Sequence, residues 1–553
     1  MSGTDAKRKS GSGRREARAL QEKKEKRKVR VTSITVFAVL ILLFLGALLI
    51  NSKYLRRIAT AVTINGVKFS ATEFDYFYQN AVFEFSNYLS EQMGDAASSY
   101  MPSNDRPHSS QIKDEETGET WAQFFGKMAL QQMAELVSYR NEAVSNGYKL
   151  SDETLSSIDD EITNMKYTAE LYSSSFKTFD SFLQGFYGTS INEKAFRQIA
   201  EFMHLAGDYT NYVRDSFSYA ASELEQYYDE NKDSLDVFAY RYITIYKQTT
   251  SEEDYDSTEE YEASKDAALA DAFVLAQEIA DGIASEEDLI AAAKEYDAAS
   301  YTEDDSTLRN YPGEWLGGVY GDWLKDSARV EGDVSAFEMS NGAYVVYYIS
   351  RNNNRYALAN MRQIFIKRDD VDEEEYKDYD VDFSDDDLLS GLDYENAYYY
   401  DEEGYAAALE AAETAAKERA DEVYAVFKEG GATEEQLISM VTEYSDDTAA
   451  EGGLYENIYK NTSSATTEPE VEAWLFDPAR QLGDYELINT AAKGYYLVFF
   501  TGFGERYCDY LADTRMRDRD FNAWKDALAE PADKQSWAMR LTESHGKFEM
   551  VWQ

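Results

Sequence analysis

The segment Met361-Arg-Gln-Ile-Phe-Ile366, and the order of elements that follows it as far as Phe500, decides how this chain folds. Arg362 to Lys367 reads as a strand, and Tyr405 to Phe427 as an Ala-rich helix. A short helix is predicted over Glu434 to Glu443, followed by Tyr444-Ser-Asp-Asp447, Gly452-Gly453-Leu454 and Pro469-Glu-Val-Glu-Ala-Trp-Leu-Phe476. Gly494-Tyr-Tyr-Leu-Val498 opens a closing strand that runs to Phe500. The same order stands upstream. Val237 to Tyr246 alternates, Ser264 to Gly282 and Glu286 to Tyr296 have helical spacing, then come Trp315-Leu-Gly-Gly318, Gly332-Asp-Val-Ser335 and the strand Gly342 to Tyr348. Two tandem modules, 237–351 and 356–503, are the simplest reading. The extra length of the second lies mostly between Asp369 and Glu403, which hold seventeen acids and one lysine.

Outward from the modules, the charge is uneven. The first thirty residues carry twelve Lys/Arg against four acids, so this basic tail is +8 and the remainder must carry −58 to reach the net −50. Residues 31–52 include Val31 to Ile50, which has no charge and no proline. About twenty residues at ~1.5 Å each cross a hydrocarbon core of roughly 30 Å. Asn51, Ser52, Lys53 and Tyr54 follow, rather than the small residues of a cleavage site, so an uncleaved signal anchor is expected. The basic tail sets residues 1–30 in the cytoplasm and the bulk of the chain outside. One cysteine, Cys508, excludes an internal disulfide framework. The acidity of the outer part argues against nucleic acid as a partner.

Residues 59–232 read as mostly helical. Asn65-Gly66 marks a tight hairpin, and Ser70 with Glu73 marks a capping box before a helix whose Phe74, Phe77, Tyr78, Ala81, Phe85, Tyr88 and Leu89 share a face expected to be core. Glu91 to Glu119 reads as a loop, and helices are predicted over Trp121 to Gly147, Ser151 to Leu171 and Phe176 to Thr210. Ser222 and Glu225 have the spacing of a second capping box. Residues 504–553 show two short apolar runs, Phe521, Trp524 and Leu528, then Trp537 and Leu541.

The second module resembles a parvulin domain, and the region before it is similar to the N-terminal part of SurA/PrsA-type foldases. The latter likeness rests on Ile64 to Phe74, Asn146 to Glu153 and Phe182 to Gly188. The resemblance implies an α+β protein: a transmembrane helix, a helical chaperone domain, two parvulin-like modules and a C-terminal helical segment packing on the chaperone domain. It also implies peptidyl-prolyl isomerisation at a site with two histidines and an Asp or Cys. By position those roles fall to Gln363, Tyr496 and Asp447, with Val471 at the pocket phenylalanine and Phe476 and Leu454 as further substrate-binding residues. Only Asp447 keeps the family's residue type. In the first module Tyr242 and Tyr344 stand at the histidine positions, and Tyr301 to Asp305 only loosely represents the Ser-Asp-Asp segment.

Prolyl isomerisation needs no cofactor, only a site that favours the twisted amide over a barrier of about 20 kcal/mol. His108, His204 and His545 are too scattered to suggest a zinc cluster. Asp378, Asp380 and Asp382 have the rhythm of a calcium loop, but Phe383 replaces the turn glycine and Leu389 the bidentate acid, so no metal is expected and the segment reads as a solvated acidic loop. The expected function is a membrane-anchored extracytoplasmic foldase or holdase for unfolded or newly secreted polypeptides. An active isomerase and a non-catalytic envelope scaffold stay open as alternatives, and a homodimer stays open as the oligomeric state.

Overall fold

The computed structural model describes residues 23–42 and 53–542, apart from 25, 29, 32, 104, 249–250, 252–254, 303, 379–391, 394–397, 461–467, 491 and 529–532. The chain is a mixed α+β protein with antiparallel sheets, divided into two units, residues 1–217 with 518–553 and residues 218–517. The expected span 31–52 falls partly outside the described residues. Among those described, no helix is long and apolar enough to cross a membrane. The calcium-loop reading at Asp380, Asp382, Phe383 and Leu389 also lies outside them.

The first unit opens with helix α1 (Lys53–Ile58) and the hairpin β1 (Thr60–Ile64) and β2 (Val67–Ser70). Asn65 and Gly66 take positive φ in its turn, as a tight hairpin requires. Ser70 caps α2 (Ala71–Met93), its hydroxyl accepting from the Glu73 N–H while the Glu73 carboxylate accepts from the Ser70 N–H. The expected loop from Glu91 contains the small hairpin β3 (Ile112–Asp114) and β4 (Glu119–Thr120). Helices α3 (Trp121–Ser145) and α4 (Asp152–Leu171) follow. The run predicted over Phe176 to Thr210 is two helices, α5 (Phe179–Tyr187) and α6 (Glu193–Ser216), because Gly188 ends the first and Asn192 caps the second. Phe74, Phe77, Tyr78, Phe125, Met133 and Ile158 are buried in one core, whereas Tyr88, expected on the same stripe, is exposed near the end of α2. Late in the chain, β16 (Asp533–Gln535) pairs antiparallel with β1, and Ala538 enters the same core.

The second unit starts with α7 (Ala221–Leu235). The capping box expected at Ser222 and Glu225 is overturned: Ala220 precedes the helix and Glu223 accepts its N–H. Glu225 is drawn away by Arg355 and Arg506, which both bind its carboxylate and hold it below the usual range. Arg351 likewise grips Asp236 at 2.5 Å and Asp233 at 2.7 Å, so α7 is tied by ion pairs to the joint between the modules.

Each module is a four-stranded antiparallel sheet with the same topology. In the first, β5 (Val237–Tyr246), α8 (Thr258–Gly282), α9 (Glu286–Tyr296), β6 (Leu308–Pro312), α10 (Gly318–Lys325), β7 (Val334–Met339) and β8 (Gly342–Asn352) give the order β6-β5-β8-β7. In the second, β9 (Ala357–Lys367) leads into the acidic segment, where β10 (Lys377–Asp378), β11 (Leu392–Asp393) and β12 (Tyr398–Tyr400) form a small separate sheet. Then α11 (Glu402–Glu429), α12 (Glu434–Tyr444), β13 (Leu454–Ile458), α13 (Pro469–Leu475), β14 (Tyr485–Thr490) and β15 (Gly494–Arg506) give β13-β9-β15-β14. Helix α14 (Tyr507–Ala527) follows. In both modules the two long helices cover one face of the sheet, as Ile364, Ile366, Leu497 and Phe499 against α11 and α12 illustrate.

Candidate functional site on the second module

Side chains alternate across a strand, so Met361, Gln363 and Phe365 face away from α11 and α12. Tyr496, Val498 and Phe500 of β15 share that face, and α13 roofs part of it with Val471, Trp474 and Leu475. Gln363 lies directly opposite Val498, and Phe365 opposite Tyr496. The Phe365 and Tyr496 rings stack, with centroids 4.6 Å apart.

Strand β13 pairs with β9 only as far as Arg362. Beyond that point the edge of β9 is covered by Ser445 to Asp447. The Phe365 N–H donates to the Ser445 hydroxyl (3.1 Å), the Asp446 N–H to the Phe365 carbonyl (2.8 Å), and the Lys367 N–H to the Asp446 carboxylate (2.8 Å). Arg419 of α11 clamps Asp446 through two bonds of 2.7 and 2.9 Å. A sheet edge capped in this way holds the next residue, Asp447, against Gln363.

The Gln363 side-chain amide donates to Asp447 Oδ2 at 3.0 Å, and the Tyr455 hydroxyl donates to the same oxygen. The Ala449 N–H donates to Oδ1 at 2.9 Å. Burial pushes the Asp447 carboxyl up, but the bonds from Tyr455, Ala449 and Gln363 outweigh it and leave the group below its ordinary value. Burial, then the bond to Asp447, pushes the Tyr455 hydroxyl up to about 12. Tyr496 is also raised, by burial first and then by the negative charges of Glu468 and Asp447. Gln363 is 3% exposed, and its Oε1 has no hydrogen-bond partner among the described residues. Reversing the amide would set that oxygen against the carboxylate, so the assignment with Nε2 on Asp447 is the one charge allows.

The structure thus brings Gln363 and Asp447 into contact and places Tyr496 and Val471 in the same apolar layer, with Phe476 partly buried at its margin. Leu454 is not among them. It pairs directly with Arg362, which reaches Glu434 and the Gly452 carbonyl, so Leu454 sits on the opposite face of the sheet. Tyr455, one residue on, is the neighbour that sequence reading missed, and strand alternation after Gly453 was the signal for it. Gly453 itself has φ +66°, and a Cβ there would lie 2.4 Å from the Gln363 carbonyl oxygen.

The first module shows the same frame with different contents. Tyr246 pairs with Gly342 as Lys367 pairs with Gly494, so Tyr242 corresponds to Gln363 and Tyr344 to Tyr496. Arg241 binds Glu286 at 2.5 Å as Arg362 binds Glu434 at 2.7 Å. Asp326-Ser-Ala-Arg-Val-Glu-Gly-Asp333 matches Asp477-Pro-Ala-Arg-Gln-Leu-Gly-Asp484, with Arg329 over Trp323 and Arg480 over Trp474. By that match Tyr320 stands where Val471 does. Arg309 takes the place of Tyr455, stacks 4.6 Å over the Tyr242 ring and donates to its hydroxyl at 3.0 Å. Tyr344 meets both Tyr242 and Tyr320 edge-on, so the space is filled by rings and a guanidinium. Glu303, and the side chains of Asp304 and Asp305, lie outside what is described.

Among the described residues no group of His, Cys, Asp or Glu is placed to hold a metal ion. No protein-family model matches the chain, and no curated protein matches it. Among solved structures, the crystal structure of PrsA from Bacillus subtilis matches at 14% identity and a TM-score of 0.14, covering 45% of this chain and 79% of that one. A TM-score so small leaves the fold to be argued from the chain's own two sheets.

Proposed function

We propose that this protein is a folding factor that holds unfolded, newly exported polypeptides outside the membrane, and that its second module binds extended client backbone without fast isomerisation. The observation that carries this is the division of labour around Gln363. Its amide nitrogen and the Tyr455 hydroxyl are both committed to Asp447, while Oε1 remains a buried acceptor without a partner among the described residues. A buried acceptor left unmet costs about 1–3 kcal/mol, which a client N–H would recover once the side chains over Gln363 part to admit it. The apolar layer of Val471, Trp474 and Tyr496 beside it suits a side chain or proline ring. The polar groups that would have to follow a twisting amide are already holding one another.

The anchor belongs to the same proposal. The basic tail, and a helical stretch from Ile34 to Leu42 whose large apolar side chains are exposed, support insertion with the N-terminus inside. Retention of Asp447, in contact with Gln363, favours a second reading: a slow isomerase. The test uses the full chain in two assays. The client reading predicts suppressed aggregation of an unfolded protein and no acceleration of a proline-limited refolding step. Acceleration that disappears in Asp447→Ala would establish the isomerase instead, and neither effect would reject both.

A further inference from the structure

A cavity of about 460 Å³, an ordinary volume for a small-molecule site, lies in the second unit, and no neighbour of Gln363 lines it. Ser234 near the end of α7, the end of β6 with Trp315 after it, Tyr459 after β13, and Tyr507 and Arg515 of α14 stand in its walls. Two of the walls are aromatic. Tyr459 stacks flat on Tyr507, with centroids 4.6 Å apart and planes 8° apart, and Tyr311 meets Trp315 at 5.7 Å. Trp315 is 66% exposed, so a large apolar ring is held at the rim with much of its surface uncovered.

The same walls carry neutral polar groups that the protein leaves unmet. The hydroxyls of Ser234, Tyr311 and Tyr507, the side-chain amide of Asn310 and the indole N–H of Trp315 have no hydrogen-bond partner among the described residues. Tyr507 is only 9% exposed, so its hydroxyl cannot rely on bulk water as a surface hydroxyl does. The charges cancel. Arg515 is paired with Glu314, and the Lys460 ammonium lies over the Tyr356 and Phe476 rings, which are not part of the lining. β6 is an edge strand, but its end at the cavity is Pro312, which has no N–H for an added strand.

We infer that this cavity binds a neutral saccharide. A sugar ring combines the two things the walls call for: apolar C–H faces that lie against an aromatic ring, and hydroxyls round its edge that both donate and accept. A purely apolar ligand would bury the Tyr507 hydroxyl and the Asn310 amide unmet, and an ion would find no uncompensated charge to hold it. An extended polypeptide would lack the strand edge it needs. The site goes beyond the client-binding reading and stands independently of it. A free oligosaccharide and the chain of a polymeric glycan share this chemistry.

The test is isothermal titration calorimetry of the full chain with maltotriose, cellotriose and triacetylchitotriose. At least one should bind, and Trp315→Ala should weaken it about tenfold. Tyr507→Phe keeps the stacked ring and removes one hydroxyl, and should weaken it about fivefold. Affinity should hold within about twofold between roughly 50 and 500 mM salt, because the site has no net charge; a steep fall overturns the neutral ligand. Trp315 is at the surface and Tyr507→Phe conserves shape, so unchanged circular dichroism and melting would verify folding of both variants. Retention of wild type, but not of Trp315→Ala, on the matching insoluble polymer would mark a polymeric glycan as the source; binding of the trisaccharide without retention would mark a free sugar, and either supports the site. Sugar binding that persists in both variants overturns it, as does failure of all three sugars to bind wild type. Loss of aggregation suppression in Trp315→Ala with no sugar bound would make the cavity a client site, overturning the saccharide while leaving the client-binding function standing.

Discussion

The two modules share strand order, register, the Arg–Glu pair at the start of the second helix and the arginine stacked on a tryptophan, yet their corresponding faces differ in kind. In the first, Tyr242, Tyr320, Tyr344 and Arg309 fill the space and satisfy one another. In the second, Gln363 and Val471 in place of Tyr242 and Tyr320 leave a carboxylate, an amide acceptor and an apolar layer together. The frame that both copies keep lies on the helix-covered face, at the hairpins and in the arginine–tryptophan stack beside the other face. The variable part is confined to the other face, where a sheet can change its surface without losing its core.

The comparison can be broken most severely at Gly453. Thr307 stands at the matching place in the first module, but Gly453→Thr would force a branched side chain into positive φ and onto the Gln363 carbonyl. We expect a loss of about 4 kcal/mol, seen in hydrogen exchange as deprotection of β9 and β13 with the first module spared. Next in size is the shared ion pair. Arg241→Ala and Arg362→Ala should each cost about 3 kcal/mol by denaturant unfolding, and a large inequality between them would argue that the frames are not equivalent. Arg309→Ala should cost about 1.5 kcal/mol, because the Tyr242 ring loses its stacked cation and its hydroxyl loses a donor.

The smallest effect is at Tyr455. Tyr455→Phe removes one of three bonds to Asp447, should cost about 1 kcal/mol, and should raise the Asp447 pKa measured by carboxyl NMR. The sign follows from the depressed folded value. The stabilisation from ionised Asp447 is fully present above its unfolded value near about 4 and is lost as pH falls through the lower folded one. An Asp447 pKa unmoved by Tyr455→Phe would show that the hydroxyl is not what holds it down.

Much of the frame was legible because it is written in periodicity. Glu286 to Tyr296 was bounded correctly from spacing, and β9 and β15 were visible as strands through their match to the first block. The pairing of Gln363 with Asp447 was only implied by position, since contact between residues 84 apart depends on Ser445 and Asp446 capping a strand edge. Tyr455 and Arg309 escaped notice because each acts through its side-chain end, which no periodicity reports. Leu454 was assigned to the pocket by resemblance alone, whereas alternation puts it on the face opposite Tyr455. The repeat Asp-x-Ala-Arg-x-x-Gly-Asp was readable all along and is the firmest internal sign of duplication.

The pairing of β16 with β1 has a consequence for how such a chain is made. Ser536 hydrogen-bonds to the backbone at Thr60, 476 positions earlier. A polypeptide emerging from its N-terminus would expose the β1–β2 hairpin well before it supplied the third strand. The whole second unit would have appeared in between, while that edge waited unpaired. Contacts so distant in sequence are costly to close and form late. Completion of the first unit therefore depends on residues on the far side of the second: a chain ending before Asp533 would keep an open strand edge on β1.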